Sequence, residues 1–543
     1  MPSALTRSFI VFPLLLLFAG CGKKEVSSPP SEIPATGKSS SSSKPATPPT
    51  QSAAEIEDPN ETKAFELHEK YKGIFEYNVT AAEDKAGGGR GELSGLSGER
   101  AGEVVEGIMS KYEKVMAEVK AQPKEVQEIF FALMSGRGMK HPLISADGSH
   151  VAFEYDGTLY DPTDTDSLPD VYLWNLTDGS VRCVSQGGMA NGKWACNSPA
   201  LSKDGSILAF CSEGNGLSAT TMPPAECNIY LRDLGTGGDP VPVADNPDWT
   251  PEGDFKLPTG MGRYLHRPTL SHDGNKLAFI ASVASTRATE DVIGETYEAL
   301  VLLDRTTKKY RALSKKVSRL SIPVISGDGS TVAMFGPPAA FLPDTKDETQ
   351  CFLWLIPTDG STPTQVVAPE GVKIYNGHAV PPSISADGSK IAIGTEAGDQ
   401  PQVYLYDRAA SQWTLVSANP SGKPGDAKSV EPSIAADGSA VAFVSYASDL
   451  LPGGKTLGAQ TYRYDITTKQ LSVMTVNGEG KPCQGVSASP SLNADGSRAA
   501  VLLDARDLPG VRLPKRQSSG VLMRLYVVDP KEKRYVTLGK ALN

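Results

Sequence analysis

The sequence is poor in basic residues: its 543 residues include 53 Lys and Arg against 63 Asp and Glu, and its formal net charge is −10. This balance argues against a nucleic-acid-binding protein, which needs a basic face for phosphates. Turn formers are instead abundant, with 53 Gly and 41 Pro, and 39% of the residues are hydrophobic. Such a chain can bury a core, and its length favours several modules or one repeat array of short strands.

The apolar run from Phe9 to Phe18 is too short to span a bilayer as a mature helix. Arg7 precedes this run, and the small residues of Phe18-Ala-Gly-Cys21 lead from it to a cysteine. This order resembles a bacterial lipobox, although that family prefers Leu where Phe18 stands. The resemblance implies a lipoprotein signal peptide at 1–20, a lipidated (palmitate-bearing) Cys21 and anchoring in the bacterial cell envelope, with the outer membrane favoured and the globular part periplasmic or surface-exposed. The alternative is an ordinary cleaved signal followed by a chance cysteine.

Two segments separate this N-terminus from the rest of the chain. Residues 21–57 are rich in Ser, Pro and Thr with almost no large apolar side chains, which predicts a disordered tether. Residues 58–137 show helical periodicity, as at Val115 and Val119, and Pro123 marks the start of a further helix. We interpret this segment as a small helical module packed on the next domain, with an independent binding domain as the alternative.

From residue 141 onward the sequence repeats itself seven times. Each unit contains a phrase close to Pro-x-[Ile/Leu]-Ser-x-Asp-Gly, and the units are 50 to 69 residues apart. The repeated aspartates are Asp147, Asp204, Asp273, Asp328, Asp387, Asp437 and Asp495. A short apolar strand such as Val441-Ala-Phe443 follows each phrase, and most units then carry a pair such as Tyr404 and Asp407.

Each part of this phrase has a mechanical interpretation. Asp-Gly supplies the positive φ angles of a two-residue hairpin turn, and Pro at the start of a strand needs no backbone donor. The sequence therefore predicts an all-β fold at 138–543, a seven-bladed β-propeller of four-stranded antiparallel blades preceded by the small α-helical segment. All four strands of the last unit follow Asp495-Gly496, so we expect no strand exchange to close the ring.

The repeat wording closely resembles the TolB-type (WD-repeat-like) propeller repeat of bacterial envelope proteins over roughly 400 residues. TolB itself is six-bladed and carries a different N-terminal domain. The resemblance therefore concerns the repeat family and does not extend to TolB as a partner-binding protein.

The long loops of the propeller are predicted on one face. The connections between the second and third strands are long in six units, and several connections between blades are long too. These two loop sets emerge on the same side, so this face and the mouth of the central channel form the default binding site. His141, His266 and His378 precede the first strands of units 1, 3 and 5, near that mouth. Some propeller lyases bind a transition metal through such histidines, but ordinary solvated or packed histidines are favoured here.

Two further groups of residues are candidates for a ligand or a crosslink. Asp164, Asp166 and Asp170 could gather oxygens around Ca²⁺, but the Gly and closing Glu of a calcium loop are missing, so a plain acidic loop is favoured. No other cofactor is expected. The disulfide candidates are Cys211 with Cys227 and Cys183 with Cys196. A zinc site of these four cysteines is the alternative, although their spacing matches neither a zinc ribbon nor a zinc finger.

No catalytic motif is recognisable in the sequence. It contains no Gly-x-Ser-x-Gly, no His-Glu-x-x-His and no additional hydrolase domain, which argues against a peptidase gated by a propeller. We predict a lipid-anchored envelope protein whose propeller is a binding platform for another protein or a glycan, a function favoured over that of an enzyme. Its contact with the membrane is expected through the lipid anchor only, and no nucleic acid is involved. The alternative is an enzyme of polysaccharide lyase or lactonase type with its site at the channel mouth.

Overall fold

A computed structural model describes residues 59–76, 113–135, 138–157, 160–161, 168–185, 195–212, 227–258, 264–284, 296–318, 321–342, 345, 351–374, 380–397, 400–452, 458–505, 507–508 and 523–538. These residues belong to one compact unit, Glu55–Asn543. The predicted signal peptide, Cys21 and the tether lie outside the described residues.

Seven sheets follow one another along the chain, and each is built from consecutive strands. The strands are, in blade 1, β1 (Met139–Ile144), β2 (His150–Tyr155), β3 (Asp170–Asn175) and β4 (Val181–Cys183); in blade 2, β5 (Cys196–Leu201), β6 (Ile207–Ser212), β7 (Asn228–Asp233) and β8 (Val241–Pro242); in blade 3, β9 (Thr250–Pro251), β10 (Tyr264–Leu270), β11 (Lys276–Ala284), β12 (Thr296–Asp304) and β13 (Lys309–Val317); in blade 4, β14 (Val324–Ile325), β15 (Thr331–Gly336), β16 (Phe352–Pro357) and β17 (Thr364–Val366); in blade 5, β18 (Val372–Ile374), β19 (Ser383–Ile384), β20 (Lys390–Ala397), β21 (Gln400–Asp407) and β22 (Gln412–Leu415); in blade 6, β23 (Ser429–Ile434), β24 (Ala440–Ser445), β25 (Gln460–Asp465) and β26 (Gln470–Val473); and in blade 7, β27 (Gly485–Leu492), β28 (Ala499–Ala505), β29 (Arg524–Asp529) and β30 (Arg534–Thr537).

The predicted seven-bladed propeller is confirmed. Pairing within the blades is antiparallel, apart from β9, which joins blade 3 as a fifth strand parallel to β13. In blade 5 the first strand is split, because β18 and β19 both pair with β20. A 3₁₀ helix, Pro338–Ala340, follows β15 in blade 4.

Each blade buries both faces of its sheet because it packs between two neighbours. Strand β6 is therefore buried along its whole length. The Phe and Tyr of the repeat phrase meet inside the blades: Phe153 stacks on Tyr172 and Phe443 on Tyr462, each pair with 5.7 Å between ring centroids. One apolar cluster fills each of the seven junctions between neighbouring blades, including the junction of blades 7 and 1. The core of the protein is thus a ring of seven such clusters.

The Asp-Gly turns differ from the predicted two-residue hairpin. Only the glycine has a positive φ, +72° at Gly148, and its N–H donates to the carbonyl of Ser145 three residues earlier. The same bond forms in all seven blades, so the connection is a type I turn followed by a left-handed glycine. The aspartate stabilises the turn through its side chain: in blade 1, Asp147 Oδ1 accepts hydrogen bonds from the Ser149 N–H at 2.9 Å and the Ser145 hydroxyl at 2.6 Å.

The ring closes through these turns without strand exchange, as expected, but the ground for that expectation was wrong: β27 precedes Asp495, and only three strands of blade 7 follow it. Blade 1 and blade 7 each contain only strands of their own repeat. Main-chain hydrogen bonds of 2.7–3.0 Å instead join every turn to the next around the ring. From donor N–H to acceptor carbonyl they are Asp147 to Lys203, Lys203 to His272, His272 to Gly327, Asp328 to Ala386, Ala386 to Ala436, Asp437 to Ala494 and Ala494 to Ala146.

The described residues before the propeller include three helical segments. They are α1 (Pro59–Glu76), α2 with described residues 113–120, and α3 (Lys124–Ser135). They enclose a small core of their own that includes Leu67, Val119 and Phe130. The Tyr155 hydroxyl of blade 1 donates a hydrogen bond to Glu128 Oε2 of α3 at 3.3 Å, so the helices contact the propeller beside blade 1. No helix in the described part of the chain has the length and hydropathy needed to cross a membrane.

Two histidines packed under the turns give the fold a predicted pH dependence. Burial lowers the pKa of His150 and His272 below the ordinary value of 6.5. The unfolded chain therefore takes up these protons at a higher pH than the folded protein does. Stability from this source is complete above pH 6.5 and falls as the pH drops toward the lowered pKa values. The variant His150→Gln/His272→Gln should lose less stability than the wild type between pH 7.5 and about 5.5 in urea unfolding. An equal loss of stability in both proteins would show that His150 and His272 are not the source of the pH dependence.

Candidate functional site

The inner strands of blades 6, 7, 1, 2 and 3 share a bulge at the repeated proline. In each bulge the residue before the proline has a φ of +48° to +60°. A residue before proline is normally extended, so five non-glycine residues in this region represent local strain. In order around the ring they are Glu431, Ser489, His141, Ser198 and Arg267, and we call these five residues the bulge ring. The proline therefore lies within the bulge and not at the start of the strand as predicted.

The bulge ring lines the central channel. The first strands of the blades contact one another in a closed circle, from β1 through β5, β10, β14, β19, β23 and β27 back to β1, and so line the channel. The bulges fall at or just past the middle of these strands, six residues before the aspartate of each turn. Blades 4 and 5 carry Ile322 and Pro381 at the same repeat position, without a positive φ. The channel lining at this level therefore has a polar arc of five blades and an apolar side of two.

Two carboxylates hold the bulges of the following blades. Glu154 is 5% exposed, and its Oε1 accepts the main-chain N–H of Ser198 at 2.7 Å. In the same way, Glu431 Oε2 accepts the main-chain N–H of Ser489 at 2.6 Å. Each bond crosses a junction from one blade to the next. The strained backbone at the mouth is thus stabilised by charge-assisted hydrogen bonds.

Glu154 also orients the exposed imidazole of the ring. His141 Nδ1 lies 3.0 Å from Glu154 Oε1, and the His141 side chain is 71% exposed. The hydrogen bond to Glu154 raises the pKa of His141 above its ordinary value, with a smaller contribution from Glu431, against the opposing effects of burial and Lys140. His141 therefore stays protonated to a higher pH than an ordinary histidine. An exposed imidazolium held by a buried carboxylate can bind an anionic group or donate a proton.

The other two predicted histidines are not part of this pair. His266 lies on β10, next to Arg267, and is 8% exposed. Its Nε2 is 3.7 Å from Glu298 Oε2, and its ring is 4.9 Å from that of Tyr264. Glu298 in turn accepts a hydrogen bond from the Ser282 hydroxyl at 2.8 Å. His378 lies outside the described residues.

An exposed aromatic side chain stands beside the ring on blade 6. Tyr446 is 44% exposed, and Lys428 Nζ lies 4.5 Å from the centroid of its ring. Burial and the neighbouring Glu431 raise the pKa of Tyr446. At the corresponding place in blade 1, Asp156 is paired instead with Lys140 at 3.1 Å. The mouth therefore differs from blade to blade in both charge and aromatic surface.

Sequence reasoning missed Glu154, although the repeats contain a signal for it. Glu154 interrupts the apolar strand β2, and the structure aligns it with a residue that is apolar or glycine in every other blade. These counterparts are Cys211, Ile280, Phe335, Gly394, Val444 and Leu502. A comparison of the repeats position by position would have identified Glu154 as an exception.

The predicted calcium ligands do not form one group in the described part of the chain. Asp170 is 1% exposed, begins strand β3 and accepts a hydrogen bond from the Ser185 hydroxyl at 2.5 Å. It therefore belongs to the strand and not to an open loop. Asp164 and Asp166 lie outside the described residues, and the described residues contain no cluster of three or more metal-ligating side chains. Calcium binding by this loop stays a prediction.

The four candidate cysteines occupy three different apolar clusters. Cys183 packs against the cluster between blades 7 and 1 and Cys196 in that between blades 1 and 2, yet both thiols lie beside the Ser185 hydroxyl, which is 3.5 Å from the Cys183 Sγ. The Cys183–Cys196 disulfide and the alternative zinc site stay predictions. Cys211 and Cys227 share the junction of blades 2 and 3.

All six cysteines in the described residues are thiols in the structure. Cys211 pairs in register with Ile229, two residues from Cys227, and such a diagonal separates Cα atoms by about 7 to 8 Å. A disulfide needs roughly 6.8 Å or less, so this bond requires a local shift of the strands. The Cys211–Cys227 disulfide stays a prediction, which peptide mapping without reduction would test.

No family model and no curated protein matches the chain. Solved structures similar in fold include an acylaminoacyl peptidase in complex with a chloromethyl ketone (13% identity, TM-score 0.45, covering 74% of this chain and 52% of that one). Others are the β-propeller domain of the Trilobed protease from Pyrococcus furiosus (12%, 0.44, 74% and 95%) and an oligogalacturonate lyase from Vibrio parahaemolyticus (16%, 0.41, 73% and 91%). The chain thus spans about half the length of the peptidase. At these identities the similarity concerns the fold alone.

Proposed function

We propose that this protein is a lipid-anchored protein of the bacterial cell envelope whose propeller binds a protein or a glycan at the channel mouth. The observation that carries the proposal is the bulge ring, in which five polar or charged residues have a left-handed backbone at the same repeat position. Strain of this kind persists only where the surrounding structure enforces it, and it is concentrated at functional sites. The rigid propeller holds these five different side chains on one face, as selective recognition requires.

The opposite face offers much less for selective recognition. Its seven Asp-Gly turns have the same hydrogen bonds and similar glycine φ angles, between +62° and +73°. A surface of nearly equal turns gives a partner few features to distinguish. This contrast supports the face with the long loops as the binding face.

A second candidate function is favoured by one contact, the pair of His141 and Glu154. An exposed imidazole oriented by a buried carboxylate is an arrangement suited to general acid–base catalysis. An enzyme of lyase or lactonase type at the mouth would use this pair for proton transfer. Conversion of a glycan or lactone by the purified protein, lost in His141→Gln, would favour the enzyme over the binding platform.

A pull-down from envelope extract tests the binding function. We expect the anchored wild-type protein to retain a partner, and a variant with shortened loops at 156–168 and 283–296 to lose it. The fold should survive because changes in the length of surface loops have a small entropic effect. Full retention by the shortened protein would place binding elsewhere, with the helical segment as the next candidate.

The lipid anchor has its own test. Replacement of Cys21 by Ser should abolish fatty-acid labelling and release the protein from the membrane fraction, because the thiol that carries the lipid is removed. The variant Cys351→Ser is a matched control and should remain labelled and membrane-bound. Labelled lipid on the Cys21→Ser protein would contradict the lipobox interpretation.

A further inference from the structure

The bulge ring contains an internal pattern that points to the chemistry of a ligand. In two junctions the main-chain N–H of the left-handed residue is bound by a carboxylate from the preceding blade, Glu154 for Ser198 and Glu431 for Ser489. Arg267 has the same conformation, with a φ of +60° against +55° at Ser198. The β10 bulge also falls at the same register step as the β5 bulge. The N–H of Arg267 should therefore point toward its preceding blade as well.

Among the described residues, the junction of blades 2 and 3 supplies no such carboxylate. Cys211 stands where blade 1 has Glu154, and Ser198 stands where blade 6 has Glu431. A buried thiol and a short hydroxyl cannot take the place of either carboxylate. Among the described residues, the Arg267 guanidinium also has no ion pair and no hydrogen bond.

We propose that this junction is a subsite for the carboxylate of a ligand. The ligand carboxylate would accept hydrogen bonds from the main-chain N–H and the guanidinium of Arg267. It would thereby replace the kind of carboxylate that Glu154 provides for the N–H of Ser198. A carboxylate is favoured over a phosphate because the protein itself fills the two equivalent places with carboxylates. This inference rests on the proposed binding function at the channel mouth and names part of its ligand.

Of the two ligand classes left open, the mouth favours an acidic glycan. The hydroxyl of Ser198 lies on the neighbouring bulge, and Tyr446 exposes 44% of its surface on blade 6 beside the same ring. Hydroxyl groups and an open aromatic ring suit a sugar, whose hydroxyls need hydrogen bonds and whose apolar face packs on aromatic side chains. An acidic peptide is the competing ligand in the test.

The test is a titration of the full-length protein in detergent, followed by saturation-transfer NMR. The probes are glucuronate, its neutral counterpart glucuronamide, and N-acetyl-aspartate as the peptide-type acid. We expect glucuronate to bind at least tenfold more tightly than either of the other two. Equal binding of glucuronamide would overturn the carboxylate subsite, and equal or tighter binding of N-acetyl-aspartate would overturn the glycan assignment.

Two variants separate this subsite from a merely structural role. Arg267→Gln should weaken glucuronate binding at least tenfold, whereas Arg534→Gln, at an exposed position on β30, should leave it unchanged. Ser198 in blade 2 is the counterpart of Glu431 in blade 6 and has nearly the same φ. Ser198→Glu should therefore place a carboxylate of the protein itself in the subsite. We expect this variant to remain folded and to lose glucuronate binding. Undiminished glucuronate binding in both Arg267→Gln and Ser198→Glu would contradict the carboxylate subsite. If these variants still retain a partner in the pull-down, the proposed binding function stands without the carboxylate subsite.

Discussion

Replacing Glu154 by Leu is expected to abolish partner retention and to lower the free energy of unfolding by about 3 kcal/mol. The Glu154 carboxylate is 5% exposed and accepts the Ser198 N–H at 2.7 Å, so its removal leaves a donor without an acceptor in a strained bulge. The same change frees His141, whose Nδ1 lies 3.0 Å from Glu154 Oε1. Urea unfolding and the pull-down from envelope extract measure the two effects.

The conservative variant Glu154→Gln separates the two roles of this side chain. Its amide oxygen can still accept the Ser198 N–H, so most of the stability should remain. It carries no charge, so the pKa of His141 should fall back toward the ordinary value of 6.5 in an NMR titration. Wild-type stability and wild-type retention in Glu154→Leu would show that the carboxylate holds neither the bulge nor the imidazole.

Replacing Asp-Gly by Ala-Ala in the turns of blades 3 and 6 should lower the melting temperature by roughly 10 °C. Gly274 has a φ of +67°, and a Cβ there would lie 2.9 Å from Ile207 of the preceding blade. Asp273 Oδ1 accepts hydrogen bonds from the Ser271 hydroxyl at 2.5 Å and the Asn275 N–H at 2.9 Å, which Ala cannot replace. Each turn should therefore lose about 3 kcal/mol.

These turns also carry the bonds that close the ring, so the effect should exceed that of an ordinary surface turn. In blade 6, Asp437 donates its N–H to Ala494 of the next turn. Ligand affinity should change little, because the aspartate of each turn lies six residues beyond the bulge-ring residue of its blade. Calorimetry on the variant provides the measurement, and an unchanged melting temperature would contradict the structural role of the turns.

The architecture could be predicted from the sequence because every unit carries the same local pattern of residues. Asp-Gly stands at the same place in all seven units, and in blades 1, 2 and 6 a Phe of the second strand stacks on a Tyr of the third, as Phe153 does on Tyr172. The type of turn was not readable. Asp-Gly is compatible with both a two-residue hairpin and a type I turn that ends in a left-handed glycine. The sequence does not show how many residues form the turn, which is what distinguishes the two.

The bulge ring could not be predicted from one repeat at a time. A residue before proline is expected to be extended, and the positive φ of Ser198 depends on a carboxylate that belongs to the preceding blade. The contact of His141 with Glu154 likewise depends on strand pairing in blade 1. The conformations of these residues are fixed by tertiary contacts. The sequence alone shows only that Glu154 interrupts the apolar strand β2.

The binding site at the channel mouth is tested most directly by a paired comparison of partner retention and melting temperature. One protein carries His141→Gln and Arg267→Gln on the bulge ring, and the other carries Ala-Ala in place of Asp-Gly in blades 3 and 6. We predict that the bulge-ring variant keeps its melting temperature and loses the partner, while the turn variant melts at a lower temperature and retains the partner when assayed below that temperature. Full retention by the bulge-ring variant, together with loss of the partner in the folded turn variant, would contradict binding at the channel mouth.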